Sequence, residues 1–225
     1  MITESLYRNY QDRLLTTSGR TDCKVIVIKL LTDGIQIKDL YVNLFQRSLY
    51  DVGVLWETNK ISVATEHFCT AITESMISLS YPYMFAGKYQ GKKAIITCTP
   101  GEHHHIAGRM VADYFELNGW DGLYLGANIP EDAIILFITE NYPDLLAVSM
   151  SVSYSLNTLD TLIVKVRQHF PDLPIVLGGQ GFNWEGKDSF IWGSNDVFKT
   201  MDKVCLVKSL DELDEKILKP MNNDF

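Results

Sequence analysis

Residues 94–126 read AIITCTPGEHHHIAGRMVADYFELNGWDGLYLG, and the fold turns on this stretch. Residues 94–98 are a short apolar run that predicts a strand. Pro100-Gly101 breaks it, and from about 105 to 118 apolar residues recur at helical spacing before a second strand at 122–125. Strand, loop, helix and strand in this order form a parallel βαβ unit. Its first loop carries one carboxylate and three imidazoles, Glu102 and His103-His104-His105. In an open parallel sheet ligands bind outside the carboxyl ends of the strands, so this loop is expected to serve a metal-containing cofactor.

Downstream the alternation continues, with helix 130–141, strand 145–149, helix 156–169, strand 175–177, a weaker strand near 204–207 and a final helix from Ser209. Continuous apolar strands between amphipathic helices predict a doubly wound, flavodoxin-like or Rossmann-like parallel sheet covered on both faces. Pro130 with Glu131 and Asp132, and later Asp211-Glu212, suit the positively polarised helix starts. His169, at a helix end, reads as a C-terminal cap, and residues 219–225 read as a frayed tail.

Upstream the period is helical throughout. Leu6, Tyr10 and Leu14 form one stripe; Val25, Ile28, Lys29 and Leu31 a second; Leu40, Leu44, Leu49, Val52 and Leu55 a third; Ala64, His67, Ala71 and Ser75 a fourth. Four helices in this span predict a bundle. Gly19 and Gly34 read as helix stops and Ser62 as an N-cap. The expected organisation is therefore a helical bundle at 1–84, a linker at 85–92 and an α/β domain at 93–225.

Composition removes several classes. The 225-residue chain carries a formal charge of −8 and a pI near 5.1, which argues against direct nucleic-acid binding, since that affinity rests on Lys and Arg meeting phosphates. No apolar run is long enough to span a membrane, and the amino terminus lacks the features of a signal peptide, so a cytoplasmic protein is expected. Cys23, Cys69, Cys98 and Cys205 are scattered without a C-x-x-C pair and read as reduced, buried thiols.

Three adjacent histidines cannot all face one site, because neighbouring side chains on a helix diverge by about 100°. One imidazole, or at most His103 with His105, can converge on a metal. H-E-x-x-H is absent and no cysteine pair completes a zinc set. Gly178-Gly179-Gln180-Gly181 is neither a G-x-G-x-x-G nor a P-loop, which argues against NAD or ATP.

The stretch GEHHHIAGRMVADYFELNGWDGLYLGANIP resembles the first loop, helix and second strand of the cobalamin-binding domain shared by methionine synthases, corrinoid methyl carriers and light-sensing regulators. That resemblance implies an acidic residue, x, His, x, x, Gly motif, in which Glu102 takes the acidic place and His104 the lower cobalt ligand. Ala107 stands where the family has glycine, with Gly108 next to it. Ser149-Met150-Ser151 and Gly178-Gly179, followed by Phe182, resemble the serine and Gly-Gly motifs that flank the cofactor's nucleotide tail. Gly126, at the end of the second strand, joins the implied cofactor-binding set. The chemistry is coherent, since a ligating imidazole is oriented and made more basic when its other nitrogen faces a carboxylate. His103 and His105 read as solvated.

In the bundle, GVLWETNKISVATEH contains Trp56, nine residues, then Glu66-His67, which resembles the W-x9-E-H motif of CarH-type adenosylcobalamin photoreceptors. The resemblance implies that Trp56, Glu66 and His67 cover the cofactor's upper ligand. Two departures stand out. Glu57 occupies the place of the family's second histidine, and the chain begins almost directly with the first bundle helix, so no DNA-binding module is expected. The expectation is a non-enzymatic cobalamin sensor using adenosylcobalamin, with methylcobalamin or hydroxocobalamin as other forms, signalling through a homo-oligomer or a regulatory protein partner. A corrinoid methyl carrier is the rival, and a pocket for another tetrapyrrole, bilin or haem, the third possibility.

Overall fold

The computed structural model describes residues 1–84, 88–152, 155–182 and 201–219. Its contacts divide the chain into two compact units, Met1–Ala86 and Gly87–Phe225. The first three residues of the expected linker, and the tail from 220, lie outside the described residues.

The first unit contains α1 (Glu4–Leu14), α2 (Gly19–Thr32), α3 (Ile37–Leu40), a π-helical segment at Tyr41–Gln46 that runs on into α4 (Arg47–Glu57), and α5 (Val63–Ser78). Its core is aromatic and aliphatic, with Tyr7, Tyr10, Tyr41 and Phe45 fully buried beside Leu14, Leu40, Leu44, Val52 and Ile72. Ser62 caps α5, its side chain accepting a hydrogen bond from Thr65 N at 3.1 Å, and Gly34, with φ of +77°, ends α2 as expected.

Three expectations for the bundle are corrected. Gly19 starts α2 instead of stopping α1, and it is glycine because a Cβ there would stand 2.7 Å from Arg13 O and 3.2 Å from Ile72 Cδ1. In α2 the buried stripe is Cys23, Val27 and Leu31, whereas Val25 and Ile28 are exposed; the helix is apolar around most of its circumference, so periodicity alone does not select the face. In α5 the stripe Ala64, His67, Ala71 faces outward, and Cys69, Ile72, Thr73, Met76 and Ile77 are buried. The larger side chains win the interior because they remove more apolar area from water.

The second unit is a five-stranded parallel sheet of order β2-β1-β3-β4-β5, with β1 at Lys93–Cys98, β2 at Asp121–Gly126, β3 at Leu145–Ser149, β4 at Ile175–Gly178 and β5 at Val204–Leu206. The connecting helices are α6 (Ile106–Leu117), α7 (Glu131–Asn141) and α8 (Leu156–His169); α9 (Leu210–Leu213) follows β5 and continues as a π-helical turn, Asp214–Leu218. Strand alternation sorts the core into two layers. Ile95, Leu146, Val148, Ile175 and Leu177 pack with α7 and α8, while Ala94, Ile96, Leu145, Ala147 and Val176 pack with residues of α6 and the carboxyl-terminal helix. Both faces are thus covered, as near-continuous apolar strands require.

The strand order reverses between β1 and its neighbours β2 and β3, so a crevice is expected at the carboxyl ends of β1 and β3. The residues 88–92 run along the turn before β2, with Gln90 N donating to Gly119 O at 2.7 Å and Asp121 N donating to Lys92 O at 2.8 Å. His169 ends α8 with Nδ1 2.9 Å from Lys165 O. All four cysteines are free thiols, three of them buried. Among the described residues no helix is long and apolar enough to cross a membrane.

Candidate functional site

Glu102 is the centre of the site. It lies in the loop between β1 and α6 with its side chain 1% exposed, and an isolated buried carboxylate is costly unless donors surround it. Here they do. Oε1 accepts from His104 N at 3.2 Å and meets the Nδ1 of the His104 ring. Oε2 accepts from Ser151 N and Val152 N, each at 3.3 Å, and lies 3.5 Å from the Ser155 hydroxyl. Burial pushes this carboxyl up, but the His104 ring, then the backbone N–H groups of His104 and Ser151, outweigh it and hold it below its ordinary value of 4.5.

The consequence is mechanical. One carboxylate ties the loop after β1 to the loop after β3, across the point where strand order reverses. A second tie runs alongside, with Thr99 N donating to Ser149 O at 2.9 Å and Glu102 N donating to Thr99 O at 2.9 Å. His104 itself remains 61% exposed. Because its Nδ1 faces Glu102, its Nε2 is the nitrogen turned away from the carboxylate. His103 is exposed, and His105 sits at the N-cap position of α6 with Nδ1 3.2 Å from His103 O.

The close-packed glycine stands at 108, one residue past the position at which the resemblance expects it. Ala107 is exposed, and Gly108 packs against the sheet, where a Cβ would meet Tyr124 Cε2 at 3.1 Å, Cys98 Sγ at 3.3 Å and Ser149 Cβ at 3.7 Å. Burial pushes the Cys98 thiol up to about 11, so it is protonated at neutral pH and donates to His104 O at 3.5 Å.

The Gly-Gly motif has an internal reason. Gly179 has φ of +112°, and a Cβ there would lie 2.9 Å from both Met150 C and Met150 N and closer still to Met150 O. Met150 N donates to Gly178 O at 2.8 Å and Gly181 N to Met150 O at 2.9 Å, so the glycines let the ends of β3 and β4 close on each other. Ser149 is buried at the end of β3, and Ser151 is half-buried beside Glu102. Gly126 ends β2 with φ of +90° and open space around its Cβ position, next to the register shift at Ile96/Thr97. Together these residues line the carboxyl edge of one sheet.

The bundle residues form a separate set. Trp56 closes α4 and is 46% exposed, and Glu57 beside it is exposed. Glu66 and His67 begin α5, one short loop later, so all four stand at the same end of the α4–α5 pair. Glu66 Oε2 meets His67 Nδ1, and Glu66 Oε1 accepts from Thr70 Oγ1 at 2.9 Å, while the His67 side chain is 75% exposed. Val54, Val63 and Phe68 are exposed close by in sequence.

Ser155 is the member of the site that sequence reasoning missed. It precedes Leu156 at the position of a helix cap, yet its hydroxyl makes no capping bond and turns to Glu102. A serine placed to cap a helix but six residues past Ser149, in the loop facing an acidic residue, was the available signal.

Among the described residues no three His, Cys, Asp or Glu side chains converge on a metal position. A single carboxylate-backed imidazole suits a metal that needs one protein ligand, and Gly126, with open space at its Cβ position, leaves room at the end of β2.

Comparison with known proteins supports a cobalamin-binding domain. Residues 92–191 match a family model described as a B12 binding domain, and residues 20–79 match a second model with the same description. The chain is 26% identical over 133 residues to the HTH-type transcriptional repressor CarH of Myxococcus xanthus, covering 58% of this chain and 44% of that protein. It thus spans less than half the length of that curated relative. Among solved structures, the monomethylamine corrinoid protein of Methanosarcina barkeri superposes with a TM-score of 0.72 at 15% identity, over 93% of this chain and 95% of that one. A cobalamin-binding protein from Desulfitobacterium hafniense DCB-2 gives a TM-score of 0.43 at 14% identity, over 90% of each chain.

Proposed function

We propose that this chain, which carries a B12-binding domain at residues 92–191, is a non-enzymatic sensor that binds adenosylcobalamin and reports the state of the ligand above cobalt. The observation that carries the cofactor assignment is the exposed imidazole of His104, oriented by a fully enclosed Glu102 at the carboxyl edge of the sheet. When bound, cobalamin supplies a cobalt–carbon bond that visible light can break.

The chain's own residues divide the work. His104 would hold the metal, and Glu102 would take the N–H of its ring, with Ser155, Ser151 and Val152 keeping that carboxylate in place. Ser149, Ser151, Gly178 and Gly179 would flank the nucleotide tail, as the family resemblance implies, and Gly126 leaves room at the end of β2. By the same resemblance Trp56, Glu66 and His67 would attend the ligand above cobalt. Trp56 is nearly half exposed near a helix end, and loss of a group packed against it would alter the bundle surface and with it the oligomer or a docked partner. Glu57 offers no imidazole beside Trp56, so the photochemistry differs from a scheme that recruits a second histidine there.

The test uses the full chain loaded with adenosylcobalamin in the dark. Green light is expected to change both the absorption spectrum and the elution volume in size exclusion, and Trp56→Ala to abolish the size change while retaining the cofactor. An elution volume and spectrum indifferent to light would eliminate the sensor reading. A second reading, a corrinoid methyl carrier, draws on the end-to-end likeness to the monomethylamine corrinoid protein. Retained binding, no response to light and methylation of the bound cofactor by a methyltransferase partner would favour it.

A further inference from the structure

Two side chains from the sheet grip the backbone on which His104 is mounted. Tyr124, in β2, donates its hydroxyl proton to His105 O at 2.6 Å, and Cys98, at the end of β1, donates to His104 O at 3.5 Å. His105 O also accepts Arg109 N at 3.1 Å, the bond that starts α6. Tyr124 is thereby tied to the first turn of that helix as well as to the loop.

The ring is held as closely as the hydroxyl. A methyl group on Gly108 would stand 3.1 Å from Tyr124 Cε2 and 3.3 Å from Cys98 Sγ, so glycine at 108 is what lets the tyrosine slide beneath α6. The β1–β2 register slips just after Tyr124, with Ile96 opposite Tyr124 and Thr97 opposite Gly126. Such a bulge bends the strand and re-aims the side chains next to it. Glu102 fixes the His104 ring through Nδ1, Cys98 holds the His104 carbonyl, and Tyr124 holds the carbonyl of the next residue, His105, at the start of α6.

We infer that Tyr124 is a positioning residue for the His104 imidazole, its hydroxyl fixing the carbonyl of the next residue, His105, and with it the start of α6, to β2. The inference deepens the cobalamin reading and rests on it. Ligand-presenting side chains need placement within about 0.5 Å of the productive geometry, and a neutral hydrogen bond contributes about a five- to ten-fold factor in an equilibrium.

The test compares Tyr124→Phe, which removes only the hydroxyl, with Tyr114→Phe, which removes a hydroxyl bonded to Asp214 at 2.8 Å from a position further along α6. Both are made in the full chain. Each is titrated with hydroxocobalamin, and the bound cofactor, reduced to the cob(II)alamin form, is examined by electron paramagnetic resonance for nitrogen splitting from a protein imidazole. Tyr124→Phe is expected to bind about five-fold more weakly and to lose part of the imidazole-split signal in favour of an unsplit one. Tyr114→Phe is expected to lower the apo melting temperature yet keep wild-type binding and splitting. If Tyr124→Phe lowers only the melting temperature and keeps wild-type affinity and splitting, Tyr124 is a structural residue and the inference falls. Failure of the wild-type chain to bind any cobalamin would instead remove the function on which it rests.

Discussion

Replacing Glu102 by alanine is expected to weaken cobalamin binding by about 10–100-fold, the range seen when the carboxylate behind a metal-ligating histidine is removed. The apo protein should also lose about 2 kcal/mol, because His104 N, Ser151 N and Val152 N would lose the Glu102 acceptor in a partly buried setting. Glu102→Gln separates the two effects, since the amide keeps an acceptor but cannot hold the charge. The pH dependence has a definite sign. A carboxyl whose folded value lies below its ordinary 4.5 contributes stability that is fully present above 4.5 and is lost as pH falls through the lowered folded value. Urea denaturation of the apo protein between pH 7 and pH 3 should therefore show a steeper acid-side loss in the wild type than in Glu102→Gln. Parallel curves for the two would show that the carboxylate charge is not stabilised by the loops it joins.

Gly179→Ala is expected to destabilise the apo protein by about 3 kcal/mol, combining a left-handed backbone with a collision against the Met150 peptide. The cause is the approach of β3 to β4, so the loss should appear in urea denaturation without any cofactor present. Wild-type stability in that variant would mean that the strand ends can separate freely, and Gly179 would then matter only for a bound group.

Much of the α/β unit was legible because its physics is local. Buried parallel strands are uninterrupted apolar runs, and residues 145–149 and 156–169 became β3 and α8 with those bounds. The pairing of Glu102 with His104 was legible for the same reason, two residues apart in one loop. What periodicity left open was long-range. α2 is apolar on most sides, so only contact with α1 and α5 decides that Val27 is buried and Val25 is not. In α5 small residues at helical spacing mimicked a core face that the larger Ile72, Met76 and Ile77 occupy. Gly19 looked like a stop because its reason, a close pass by the end of α1 and Ile72, is invisible along the chain. Ser155 and Tyr124 escaped for a similar reason, since a serine before a helix and a tyrosine in a strand have ordinary local explanations. Only the fold brings their hydroxyls to the histidine loop.

The assignment of His104 as the protein's cobalt ligand is tested most directly by the absorption spectrum of the chain reconstituted with adenosyl-, methyl- and hydroxocobalamin, beside His104→Ala. The wild type is expected to show the base-off, His-on spectrum, and His104→Ala to lose both that spectrum and most of its affinity, by more than about 100-fold if the ligand outweighs its supporting carboxylate. Binding and spectrum unchanged in His104→Ala would contradict the assignment and return the loop to three unassigned histidines.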